Sequence, residues 1–223
     1  ITTYFNPFIS SEEPISKSSI IGKDTIVQPN VFIGNNVKIG KNCVIHPNVT
    51  IYDNSIIGDH VTIHANTVIG ADAFYYKNRP EGYDQLISGG NVVIENNVDI
   101  GASCTIDRGV SASTLIKEGT KIDNLVQIGH DTIIGKKCLI ASQVGIAGCV
   151  IVEDEVTIWG QVGITSGVTI GSKAIISAKS GVSKSLDSNK RYFGIPADDF
   201  RSKYKEIAAV RKIPEILEKL KEL

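Results

Sequence analysis

His130 is the residue of this chain best suited to proton chemistry. It lies in GTKIDNLVQIGHDTIIG, residues 119–135, with Asp123 and Asn124 as polar groups that a neighbouring coil or chain could present to it. An unperturbed imidazole titrates near pH 6.5, which suits a general base at neutral pH. No G-x-S-x-G nucleophile elbow accompanies it. The cysteines, Cys43, Cys104, Cys138 and Cys149, contain no Cys-x-x-Cys pair and read as reduced thiols in a cytosol, small buried hydrophobes by default. His60 and His64 stand four apart, a spacing that converges on a helix but not on strands and corners, so no metal site is expected. A second cluster, Phe74, Tyr75, Tyr76 and Tyr83, sits within residues 71–91. Those aromatics either bind a ligand or pack on the protein's own coils.

The scaffold that must position these groups is legible as a period of six. Stepping from Ile15 gives Ile21, Val27, Ile33, Ile39, Ile45, Ile51, Ile57, Ile63 and Ile69. The step resumes at Ile94, Ile100 and Ile106, shifts by four residues, and runs from Ile116 through Ile128, Ile146 and Ile164 to Val182. A helix repeats at 3.6 and a simple strand at 2, so neither fits. One inward aliphatic per six residues, followed by Gly, Asn or Asp at a tight corner, describes a short strand plus a turn. Three such units close an 18-residue coil. The expected fold is an all-β solenoid, a parallel β-helix of about eight coils. It is expected to span residues 15–196, after a capping segment 1–14 and before a helical segment 197–223.

Two stretches leave the period: residues 71–91, expected as an extruded surface loop, and DRGVSAS, residues 107–113. In the tail, Ile207, Val210, Ile213, Leu217 and Leu220 form a helical stripe that Pro214 is expected to split into two short helices. From Lys173 onward 12 basic residues face 7 acidic ones, a local +5 in a chain whose net charge is −1. That overall balance excludes a dedicated nucleic-acid binder. No run of about 18 apolar residues provides a transmembrane segment. With no signal peptide visible, the expected location is cytoplasmic.

The strings IGASCTIDRG, GTKIDNLVQIGHD, IASQVGIAG and GQVGITSGVTIG, with YFGIPA at 192–197, resemble the UDP-3-O-acylglucosamine N-acyltransferase family of lipid A biosynthesis. The hexapeptides are shared by many acyltransferases; TIDRG and KIDNLVQIxH are far more specific. The resemblance implies a left-handed β-helix, a homotrimer, and transfer of a 3-hydroxyacyl chain from acyl carrier protein to the 2-amine of a UDP-linked 3-O-acylglucosamine. No cofactor is implied beyond the carrier's phosphopantetheine thioester. His130 matches the general base of the QIxH motif, which also contains Gln127, and Gly148 the backbone N–H that holds the oxyanion. Asp123 and Asn124 match residues flanking the base, with Asp123 as the group that orients the imidazole. Asn124, Gln127, Phe74, Tyr75 and Tyr76 are the expected substrate-binding residues, and the basic C-terminal end suits an acidic carrier. Gly167 stands where many members have a second His. The family's N-terminal uridine-binding domain is not expected in a chain with about 14 residues before its first coil; Tyr4, Phe5 or Phe8 are the residues that could stack on a uracil. Two other readings remain: an acyl-CoA-dependent N-acetyltransferase on another nucleotide-linked amino sugar, and a non-catalytic structural or binding β-helix.

Overall fold

The computed structural model describes Ser10 and residues 13–221. Tyr4, Phe5, Phe8 and most of the expected 1–14 cap lie outside the described residues. From Ile15, which bridges Ile33 in parallel, the chain winds into a left-handed parallel β-helix with three flat faces. Two faces stack eight strands each and the third stacks ten, the last of which, Asp198–Asp199, is antiparallel. With Ile15 and Leu186 bridged in parallel at the ends of the two eight-strand faces, each face carries nine parallel levels, one more than the about eight coils expected.

Each two-residue strand points its second residue inward, as Ile33, Ile45, Ile51 and Ile63 do, all fully buried. A second inward position lies two residues earlier and is filled by a smaller group: Val31, Val37, Cys43, Val49, Ser55 and Thr67. This column explains three of the four cysteines. Cys43, Cys104 and Cys138 are buried core residues, whereas Cys149 lies at a corner and is exposed. The inner prism is thus a mainly aliphatic column packed level on level, closed near its C-terminal end by Leu186 and Tyr192.

The corners divide the work of Gly and Asn differently from the sequence expectation. The left-handed backbone conformation falls three residues after each inward aliphatic, on Asn36, Asn42, Asn54, Asp131 and Cys149 among others, with φ near +60°. Glycines such as Gly22 and Gly129 sit two places earlier, where the reason is close approach between coils. A Cβ on Gly22 would lie 2.4 Å from the Gly40 carbonyl carbon, and one on Gly129 would lie 2.6 Å from the Gly148 nitrogen. One residue on, side chains of successive coils form a capping ladder: Asp53 accepts from the Asn35 N–H, Asp59 from Lys41, Asn96 from Asp59, Asn124 from Ala102 and Asp154 from Lys136. The corner N–H groups left over by the strands are satisfied in this way.

Register locates both interruptions. A plain coil pairs residues 18 apart, as Ile39 with Ile57. Ile57 pairs with Ile94, 37 residues on, and Ile94 with Ile116, 22 residues on. The first interruption contains an antiparallel hairpin, Tyr76–Arg79 with Gly82–Gln85. Both leave the β-helix at one edge, between the face carrying Val68–Ala71 and Thr105–Asp107 and the face carrying Asn91–Ile94 and Ser113–Ile116. The next corners along that edge are His130–Asp131, Gly148–Cys149 and Ser166–Gly167.

The tail corrects one expectation. Phe200–Lys221 is a single helix with Pro214 inside it, not two. Proline removes one i→i−4 hydrogen bond, but strong helix formers such as Ala208, Ala209, Glu215 and Leu217 flank it and carry the helix through. Asp199 caps it, accepting from the Arg201 and Ser202 N–H groups. The helix is anchored by its first turn, where Phe200 meets Phe193, stacks on Tyr204 and lies under the Arg191 guanidinium at 4.8 Å. The stripe Ile207, Val210, Ile213, Leu217 and Leu220 is exposed. Among the described residues no helix is long and apolar enough to cross a membrane.

Candidate active site

The edge that carries both interruptions also carries His130, the candidate base. His130 opens a corner between the strands Gln127–Ile128 and Ile133–Ile134. Its side chain is 15 % exposed, and its Nδ1 lies 2.9 Å from Asp131 Oδ2. Asp131 is doubly engaged: Oδ2 also accepts from the Val110 N–H and Oδ1 from the Ala112 N–H, so this carboxylate pins the DRGVSAS break. Burial acts to raise its pKa, but the His130 ring and the two backbone N–H groups outweigh it and hold the carboxyl below its ordinary value. An ionised Asp131 can only accept, so Nδ1 carries the proton and Nε2 is left as the basic nitrogen.

The Nε2 edge of the ring lies beneath Gly148, one coil on. A Cβ there would stand 2.5 Å from Nε2 and 2.8 Å from Cδ2, so only glycine leaves room for the imidazole. The capping ladder also stops here. Gly148 and Ser166 overlie His130, neither supplies a cap, and among the described residues the Gly148 N–H has no hydrogen-bond acceptor. A donor without a partner beside a basic nitrogen can hold an oxyanion while the base moves a proton.

The surroundings come from the two interruptions. Tyr75, at the base of the hairpin, packs edge-on against the His130 ring with centroids 5.5 Å apart. Phe74 and Tyr76 pair with each other at 5.1 Å instead, and Phe74 is almost fully exposed. Of the three expected aromatics, only Tyr75 touches His130. Gln127 reaches back one coil: its Nε2 donates to Asp107 at 3.0 Å and its Oε1 is bonded to Thr105. Burial raises the Asp107 carboxyl, opposed by the Gln127 amide and by the nearby His130. Arg108 is buried and donates to the Asp53 carbonyl, which ties the TIDRG string to the coils beneath it.

Asp123 and Asn124 are elsewhere. Their corner joins the strand Lys121–Ile122 to Gln127–Ile128 and so lies on a different edge of the prism. Asp123 accepts from the Asn124 N–H, and Asn124 Oδ1 caps Ala102. The carboxylate on the imidazole is Asp131, not Asp123 as the sequence reading expected, because three to four residues from a β-helix corner lead to the next face. Sequence inspection passed over Asp131 although it adjoins His130. Cys149, expected as a buried small hydrophobe like the other cysteines, is instead exposed, one 18-residue coil above Asp131, with its Sγ 4.0 Å from His130 Nδ1. Burial, with Asp131 adding to it, raises the Cys149 thiol pKa. His64 stacks on His46, with centroids 4.6 Å apart, rather than pairing with His60.

Comparison with known proteins bears on the family and the fold. The bacterial transferase hexapeptide (six repeats) family matches residues 18–52, 36–71 and 113–148. The UDP-3-O-acylglucosamine N-acyltransferase of Campylobacter lari is 45 % identical over 212 residues, covering 86 % of this chain and 66 % of that protein. That of Rhizobium meliloti is 48 % identical over 141 residues, covering 63 % and 40 %. The chain thus spans less than two thirds of the length of these relatives. Among solved structures, the UDP-N-acetylglucosamine acyltransferase LpxA of Bacteroides fragilis superposes with a TM-score of 0.76 at 26 % identity, covering 86 % of this chain and 73 % of that one. The chain belongs to the UDP-3-O-acylglucosamine N-acyltransferase family of hexapeptide-repeat proteins.

Proposed function

We propose that this β-helix transfers a 3-hydroxyacyl chain from the phosphopantetheine thioester of an acyl carrier protein to the 2-amine of a UDP-linked 3-O-acylglucosamine. The observation that carries this reading is the His130 ring, held at Nδ1 by Asp131 and lying beneath a glycine whose N–H is uncapped. The names of the relatives supply the substrate class. Nε2 removes a proton from the amine as its nitrogen attacks the thioester carbonyl. The carbonyl oxygen becomes an oxyanion that the Gly148 N–H receives, a contribution of about 3 kcal/mol. Collapse forms the amide and expels the thiol sulfur, which takes the proton back from His130. The nucleophile belongs to the substrate, so none is required of the protein. Tyr75 flanks the base from the hairpin side and is assigned to holding the acceptor; the exposed Phe74 and Tyr76 extend that surface. Gln127 holds Asp107 beside the base.

A homotrimer is supported by outward apolar residues on one face, Ile20, Ile56 and Ile151, which are exposed in the single chain. The basic C-terminal segment suits an acidic carrier protein, and a cytoplasmic location follows from that donor.

The test is incubation of the purified protein with UDP-3-O-acylglucosamine and a panel of 3-hydroxyacyl carrier proteins, with mass-spectrometric product analysis beside His130→Ala. An amide product that falls at least about 100-fold in the variant supports the reading. Product formed from acyl-CoA on another amino sugar would replace the substrates, and equal product in both proteins would remove His130 from the mechanism.

A further inference from the structure

Three donor atoms of mixed chemistry converge at the site: His130 Nδ1, an Asp131 carboxylate oxygen and Cys149 Sγ, all within 4.8 Å of one another. The geometry points to a binding site for a borderline-soft divalent cation, with zinc as the best fit, that switches the base off. Zinc takes nitrogen, sulfur and oxygen at about 2.0–2.3 Å in a tetrahedron, whose edges are then roughly 3.3–3.8 Å. The Nδ1–Oδ2 separation of 2.9 Å and the Nδ1–Sγ separation of 4.0 Å bracket those edges. An ion seated among the three atoms needs an opening of the first pair, a small closing of the second, and a closing of up to about 1 Å between the carboxylate oxygen and Sγ, which lie within 4.8 Å of each other. Calcium and magnesium demand oxygen ligands and do not suit this set.

The fold places these donors for reasons unrelated to one another. Asp131 and Cys149 occupy the same left-handed corner position in successive coils, with φ of 54° and 60°, so their side chains leave the prism side by side. The next member of that column is Gly167, where a Cβ would meet nothing within 4 Å. The side toward Gly167 is therefore open for a water as fourth ligand, and Cys149 stays accessible. The other three cysteines are buried in the core, each with its thiol turned to a backbone carbonyl, and cannot contribute.

Binding would release one proton, from the Cys149 thiol, which ligates as the thiolate, while the imidazole stays neutral and its proton moves from Nδ1 to Nε2. A neutral imidazole ligated through Nδ1 carries its proton on Nε2, where it donates and can no longer accept. The metal would also replace the Nδ1–H in the bond to Asp131. The consequence for turnover rests on the proposed role of His130; the metal site itself does not.

Titration of the metal-free, full-length protein with cobalt(II) tests the site. The expected result is a near-ultraviolet thiolate-to-cobalt absorption that saturates at one ion per chain and is displaced by zinc. It should vanish in Cys149→Ser, and Asp131→Asn should bind on the order of tenfold more weakly. The stacked His46–His64 pair contains no thiol and cannot produce this band. Absence of the band at saturating cobalt, or its persistence in Cys149→Ser, would overturn the site. In a second arm, stoichiometric zinc should inhibit acyl transfer by wild type but not by Cys149→Ser. A protein without transferase activity would fail the proposed function, and the absorption titration would still decide the metal site.

Discussion

Two neighbouring corners of the same coil have opposite fates. The corner at Asp123–Asn124 follows the strand Lys121–Ile122, and the corner at His130–Asp131 follows Gln127–Ile128, one face later. At the first, both polar side chains serve the scaffold: Asp123 Oδ1 accepts from the Asn124 N–H and Asn124 Oδ1 caps Ala102. At the second, glycine overlies the corner, the capping ladder stops, and a ring and a backbone N–H are released for other use. In this β-helix the candidate site lies where the scaffold's own hydrogen bonding is interrupted. The same edge extrudes the hairpin and the DRGVSAS break, which close around the released groups.

The sharpest way to break this contrast is to fill the gap. Gly148→Ala adds a Cβ 2.5 Å from His130 Nε2, which must displace the ring and crowd the Gly148 N–H. Acyl transfer should fall by about 10²–10³ while the thermal transition changes little, because the corner is open to solvent. An active Gly148→Ala enzyme would show that neither the ring position nor that N–H matters.

Asp131→Asn tests the support beneath the base. Transfer should fall by roughly 10- to 100-fold, since the amide no longer selects the Nδ1–H tautomer. Stability should fall too, because the Val110 and Ala112 N–H groups lose an ionised acceptor. The sign with pH is determined. Asp131 has a depressed carboxyl pKa in the folded protein, so its contribution is present above the ordinary aspartate value near 3.9 and lost as the pH falls through the folded value. Denaturation curves of wild type and variant should therefore converge in acid and separate at neutral pH. Curves that stay equally far apart at every pH would remove the carboxylate from the account.

Tyr75→Ala separates binding from chemistry. With Tyr75 assigned to holding the acceptor, loss of its ring, worth about 1 kcal/mol against the sugar, should raise KM for the amino sugar roughly fivefold with kcat nearly unchanged. A fall in kcat alone would make Tyr75 a positioning residue for His130 instead. The smallest effect belongs to the other corner. Asn124→Ala uncaps the Ala102 N–H and should cost about 1 kcal/mol of stability with turnover little changed. A large loss of turnover there would mean that the Asp123–Asn124 corner joins an active site completed by another copy of the chain.

Much of this was legible in the sequence and some was not, for identifiable reasons. The six-residue step survives because each inward Ile or Val is a separate packing decision in a narrow prism, so the pattern records the fold residue by residue. The second inward column, Val31, Cys43 and Thr67 among them, was hidden because small residues of several types fill it equally well. The tail stripe announced a helix, but proline's local penalty overstated the break at Pro214. His130 was found through its motif. Its partner was misassigned to Asp123 because distance along the chain is a poor guide in a solenoid, where residues 18 apart are neighbours and residues seven apart are on different edges.

What the sequence alone determined is the repeat, the approximate coil count and the two interruptions, because each is a local pattern with a fixed physical cause; it also singled out His130 as the candidate base through its motif. What only the tertiary structure decided is which groups share an edge: Asp131 on the imidazole, Gly148 above it, Tyr75 beside it and Cys149 within reach of both ring and carboxylate. Those contacts depend on the register of one coil upon the next. Two insertions reset that register, to 37 and then to 22 residues, before it returns to 18.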